Sequence, residues 1–224
     1  MLHGSPRAGV AGSELTRLLA RLAETPPPDA APAFAERLGR WLGWTDAIAL
    51  SSALNVGPAR VDAGATSNTA GSEEADYQRV RTALAASIAA GPGDDAAASP
   101  TDFAPHRRHC LAQQQAMHDA IAALRQRLRD ALSHRSPEHA RLAAIDAVMD
   151  RALSTQERTL LGLVPMRLHS HFDRMARAAR DNNDDTRWPD AFRQDMERVL
   201  LAELAHRLLP AQGLLASLHP SEAP

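Results

Sequence analysis

Three residues in one short stretch, His106, His109 and Cys110, are of the types that bind metals or do nucleophilic chemistry. On a helix His106 and Cys110 stand one turn apart, so an imidazole nitrogen and a thiolate would share a face. A metal site needs three or four ligands and a closed geometry, and Cys110 also falls on an apolar seam where a small buried residue is expected. Burial is therefore the preferred reading. A Cys/His nucleophilic pair is weaker still, because nothing nearby suggests an oxyanion hole. No metal, cofactor or catalytic residue is assigned.

The remaining chemical patterns fail on spacing. His169 and His171 are two apart, which on a helix points them to different faces. Glu203 and His206 make one Glu-x-x-His pair of the kind a di-iron bundle uses, but that design needs two such pairs and two further glutamates. Residues 181–192 can be aligned with a calcium loop, yet Thr186 stands where glycine is required and Phe192 where glutamate should be. A DNA-reading helix would have to be DAIALSSALN, which carries no arginine and one aspartate. Arg125 and Arg129, one turn apart, could meet a phosphate backbone or a partner, although a solvated helix flank also explains them. Trp41 and Trp44 read first as core and corner residues of a small helical unit. An exposed indole would instead mark a partner surface.

The elements that must position these residues are helices. Cys110, Gln114, Met117, Ile121, Leu124, Leu128 and Ala131 alternate at steps of four and three, the a/d seam of a coiled coil with one polar break at Gln114. The seam predicts a long helix over residues 105–134. Ser136 and Pro137 supply an N-cap and first-turn proline for a partner carrying Leu142, Ile145 and Met149, so the two should fold back as an antiparallel hairpin. Ser154 to Glu157 has the form of a capping box and predicts the start of a third helix. Pro165, inside that helix, should kink or break it near Leu161 or Gly162. A last helix over residues 189–209 should end at Pro210.

Upstream, Ser13 can cap a helix bearing Leu15, Leu18, Leu19 and Leu22. A second helix from Pro32 carries Phe34, Leu38, Trp41 and Leu42, and a third over residues 46–55 carries Ile48, Leu50 and Leu54. Together they predict an N-terminal helical unit over residues 1–56. Residues 57–72 and 91–101 read as flexible linkers around a connecting helix at 73–90, and residues 102–218 as the main bundle.

Alanine and leucine dominate the 44% apolar fraction, and one tyrosine and few β-branched residues leave strands poorly supplied. An all-α fold follows: a small N-terminal three-helix unit plus a larger helical bundle built on the long hairpin. All 25 basic residues are arginine. With no lysine, a Walker-type phosphate loop, a Schiff-base enzyme and a kinase core are excluded. The net charge of -2 recruits neither nucleic acid nor anionic lipid globally, but arginines outnumber acids between residues 101 and 180. A single cysteine allows no internal disulfide, no apolar run approaches a bilayer span, and the first residues lack a signal-peptide core. A cytoplasmic location is expected.

The stretches LTRLLARL, FAERLGRWLGWTDAIALSSAL, DFAPHRRHCLAQQQAM, LAAIDAVMDRALSTQERTLLGLVP, HFDRMARA and FRQDMERVLLAELAHRLLPAQGLLASL resemble a bacterial protein family of unknown function. The family carries no established catalytic residues to transfer. The resemblance implies genomic neighbours: an inner-membrane proton-channel protein of the MotA/ExbB kind and an OmpA-like protein. The expectation is a non-enzymatic cytoplasmic adaptor, docking on such a channel protein, with Arg125, Arg129, Trp41 and Trp44 as partner-binding candidates. The alternative is a nucleic-acid-binding helical protein using the arginine-rich middle. The seam closes either within the chain or across a homodimer.

Overall fold

A computed structural model of the chain describes residues 13–23, 41, 43–55, 69–93, 101–182 and 187–219. Among them all regular structure is α-helical: α1 Glu14–Ala23, α2 Trp44–Asn55, α3 Thr69–Ala89, α4 Ala104–Ser133, α5 Pro137–Leu161, α6 Val164–Asp181 and α7 Trp188–Leu218. The helix expected from Pro32 lies outside the described residues apart from Trp41.

The core is the pairing of α4 with α7. Helix α4 also touches α3, α5 and α6, and α7 touches α1, α3, α5 and α6. Cys110, Met117, Ile121, Leu124 and Leu128 are buried as the seam requires, but the last rung is Leu132 and not Ala131. From Met117 the buried steps are four, three, four and four, closer to the 3.6 residues of a straight helix than to a strict heptad. The helices that cover the seam belong to the same chain.

Helices α4 and α5 form the expected hairpin. Ser136 is extended, and its hydroxyl accepts the His139 N–H at 3.3 Å, with Pro137 in the first turn. Helix α5 then runs through residues 154–157 without a break. The serine there turns back on its own helix, its Oγ donating to the Arg151 carbonyl at 3.1 Å. The break comes at Gly162, where a Cβ would stand 2.9 Å from the Arg158 carbonyl oxygen. Pro165 lies in the first turn of α6, where its missing N–H removes no bond.

Pro210 does not end α7. An interior proline costs about 3 kcal/mol or more, since it removes a backbone bond. Beyond it Ala211, Leu214, Leu215 and Leu218 are all buried, and this packing offsets the cost. The C-terminus of α7 is also tied to the hairpin: Arg135 donates to the Leu218 carbonyl, and His139 Nε2 lies 3.0 Å from the Ser217 carbonyl.

The outer helices pack at separate places. Helix α1 is capped by Ser13, whose Oγ accepts the Thr16 N–H at 3.3 Å, and buries Leu15 and Leu22 against α6 and α7. Helix α2 lies on α5, and α3 lies across α4 and α7. Helix α3 begins at Thr69, four residues before the expected start at 73 and inside the stretch read as linker, and is followed by Gly91 and Gly93, both with positive φ.

Candidate functional site

The residues with chemical potential fall into an interior group and a surface group. In the interior, His106 is 4% exposed and packs among aromatic rings, with centroids 5.1 Å from Phe192 and 5.6 Å from Phe172. Burial holds its pKa below the ordinary imidazole range, helped by His109 and Arg193 and opposed by Asp102. His109 is lowered in the same way by burial, against a hydrogen bond to the Ile88 backbone. Cys110 is fully buried, and burial with the nearby Glu203 charge pushes its thiol up to about 12. The thiol is therefore protonated and packed, and among the described residues no cluster of three His, Cys, Asp or Glu side chains could hold a metal. His106 and Cys110 are core residues, and His109 is half-buried, at the junction of α3, α4, α6 and α7.

Gln114, the polar break in the seam, has a partner that its spacing did not announce. Its Nε2 lies 2.9 Å from the Leu161 carbonyl oxygen and 3.1 Å from each carboxylate oxygen of Glu203. Glu203 is wholly buried, and Arg207 from the next turn of α7 donates to Oε1 through Nε at 2.9 Å and a terminal nitrogen at 2.8 Å. Arg207 also faces Glu157 of α5 at 3.6 Å. Burial raises the Glu203 pKa, opposed by the charge of Arg207 and the bonds from Gln114 and Arg207. This cluster joins α4, the end of α5 and α7. The exposed His206 points away from it, so the Glu-x-x-His spacing does not make a site.

Arg125 and Arg129 do not project outward as free cations. Arg125 meets Asp150 at 2.6 Å and Asp146 at 2.7 Å, and Arg129 meets the same two at 3.2 and 2.9 Å. The two arginine side chains are only 10% and 12% exposed. The heptad-flank reading failed because the two aspartates, four apart on α5, turn this face toward the hairpin partner. His171 is likewise engaged, with Asp195 at 2.9 Å, while His169 stacks on Phe103 at 4.5 Å.

The surface group is apolar. Trp44 is 82% exposed, and Ile48 and Leu54 of the same helix are about half exposed; only Ala53 of α2 is buried. The core reading of Trp44 is thus overturned, while Trp41 is half-buried. Gly43 N–H donates to Asp46 Oδ2 at 3.1 Å and fixes the start of α2, so the indole stands in the first turn of an ordered helix. A second apolar patch lies at the α5–α6 corner, where Leu160, Leu163 and Met166 are exposed.

The fold and these surfaces define an all-helical bundle that buries the Glu203 cluster and leaves apolar side chains exposed on α2 and at the α5–α6 corner. No helix among the described residues is long and apolar enough to cross a membrane. The chain belongs to a family described as "Protein of unknown function (DUF3348)", whose family model matches residues 1–220. No curated protein and no solved structure matches it.

Proposed function

We propose that the protein is a non-enzymatic cytoplasmic adaptor, with the exposed face of α2 as its partner-docking surface and a MotA/ExbB-like inner-membrane proton-channel protein as its partner. The single observation that carries the reading is Trp44, 82% exposed on an ordered helix with Ile48 one turn on. An indole beside an aliphatic side chain is the composition of an interface hot spot, and it costs solubility unless something covers it. The choice of partner rests on the family resemblance and its implied gene neighbourhood. The alternative reading, a nucleic-acid-binding protein, draws no support from Arg125 and Arg129, because Asp146 and Asp150 already balance their charge.

The test is affinity purification of the tagged full chain from native cells after mild crosslinking. The wild type should recover the channel protein, and the double variant W44A/I48A should not. Recovery of none of the expected membrane proteins by the wild type would remove the reading.

A further inference from the structure

The corner between α5 and α6 gathers side chains that the docking face on α2 does not use. Leu160, Leu163 and Met166 are 50%, 43% and 54% exposed within seven residues of chain. Leu160 lies in the last turn of α5, Leu163 in the two-residue turn and Met166 in the first turn of α6. Their neighbours Leu161, Val164, Pro165 and Leu168 are buried, so the corner is held from beneath. Gln114 adds a second anchor through its bond to the Leu161 carbonyl.

The charge at this corner is one-sided. Among the described residues the Arg158 side chain bonds only the Ser154 backbone carbonyl of its own helix at 3.4 Å, and the Arg167 side chain has no partner. Both side chains are exposed. No acid stands three or four residues from either arginine, while Glu157 lies 3.6 Å from Arg207 and Asp173 3.7 Å from His169. Large exposed apolar side chains beside two cations with no acid one helical turn away match the layering of a membrane surface, where phosphates lie above the acyl region.

We propose that the α5–α6 corner seats the protein on an anionic lipid surface, with Leu160, Leu163 and Met166 entering the acyl boundary and Arg158 and Arg167 meeting lipid phosphates. The inference does not rest on the adaptor reading, since it concerns lipid alone and a different face. Three partly exposed side chains and two cations give reversible binding.

The experiment is sedimentation of the full-length protein with phosphatidylcholine vesicles, with and without phosphatidylglycerol. Binding should require phosphatidylglycerol and weaken as salt is raised. The variants L163E/M166E and R158E/R167E should each bind about tenfold more weakly or worse, a loss of 1.4 kcal/mol. Because all four positions are exposed, their circular dichroism should equal that of the wild type. A third variant reads insertion directly. Cys110 is buried, so L163C offers a single accessible thiol for an environment-sensitive dye, whose emission should shift to the blue only when vesicles are added. Absence of wild-type binding at low ionic strength overturns the proposal. So does binding that survives L163E/M166E, which would be electrostatic adsorption alone. A blue shift without vesicles that grows with protein concentration also overturns it, by showing that copies of the protein cover the corner.

Discussion

Helices α7 and α2 carry apolar residues at similar density and put them to opposite use. In α7, Phe192, Met196, Val199, Leu200, Leu204 and Leu208 are buried, and the one carboxylate that enters the interior, Glu203, arrives with Arg207 and Gln114 as partners. In α2, Trp44, Ile48 and Leu54 are exposed, and the helix lies on α5 with Ala53 buried and Ala49 and Leu50 half-buried. The apolar period states which side chains share a face. Which face meets the core depends on how closely the helix must approach its neighbour, and alanine permits a closer approach than tryptophan. Helix α7 is thus a folding element, and α2 keeps apolar surface exposed.

The comparison is broken most severely by removing the polar anchor of α7. Glu203→Leu leaves Arg207 largely buried without its main partner and strands the Gln114 amide. The expected loss is about 3–5 kcal/mol, the usual consequence of deleting one member of a buried pair. Urea unfolding followed by circular dichroism measures it. The double variant E203L/R207M should recover most of the loss, because no charge then remains without a partner. If E203L is as stable as the wild type, the cluster is not an anchor.

A smaller loss is expected at Leu128, buried on α4 in the same core. Leu128→Ala should cost about 3 kcal/mol through lost transfer energy and the cavity left behind. Leu54→Ala, on the exposed face of α2, should stay within about 0.5 kcal/mol. Equal losses at the two positions in urea unfolding would erase the distinction between the helices.

These expectations show how far the sequence reaches. The helical class, the hairpin at Ser136 and Pro137, the seam down to Leu128 and the break at Gly162 were legible because caps, prolines and periodicity are local signals. Pro210 misled because the leucines beyond it repay the lost bond through packing that no local rule contains. Residues 154–157 misled because a capping box is also a legitimate helix interior when Ser154 bonds back to Arg151. The interior polar groups were the least legible. Gln114 and Glu203 are 89 residues apart, and Arg125 reaches aspartates more than 20 residues on, so neither pairing has a spacing to announce it. Trp44 and the α5–α6 corner were hidden for the converse reason, since exposure follows from what fails to pack.

A pH titration sharpens the same contrast with a smaller, confined effect. Burial lowers the folded pKa of His106 and His109, so the unfolded chain binds their protons at higher pH than the fold does. Their stabilising contribution is complete above the ordinary value of 6.5 and is lost as the pH falls through it toward the folded values. Glu203 has the opposite sign. Its folded carboxyl holds its proton more tightly, so the cost of ionising it is absent below the ordinary value of 4.5 and grows as the pH rises through the folded value. Urea midpoints measured from pH about 8 down to about 5 should therefore fall with acid, and His106→Leu should flatten the decline. Helix α2 contains no histidine.

The smallest change in stability carries the most functional weight. Trp44 buries little of its ring, so Trp44→Ala should leave the urea midpoint within about 0.5 kcal/mol of the wild type. If α2 is a docking face, the same change should cost 2 kcal/mol or more of partner affinity, roughly the loss seen when a central tryptophan is cut from an interface. The two measurements must therefore separate. A variant that loses both stability and binding would make Trp44 a packing residue and return α2 to the same role as α7. A variant that loses neither would leave the indole with no task, and the adaptor surface would have to lie elsewhere. Only the split, stable yet unable to bind, keeps the two helices different in kind.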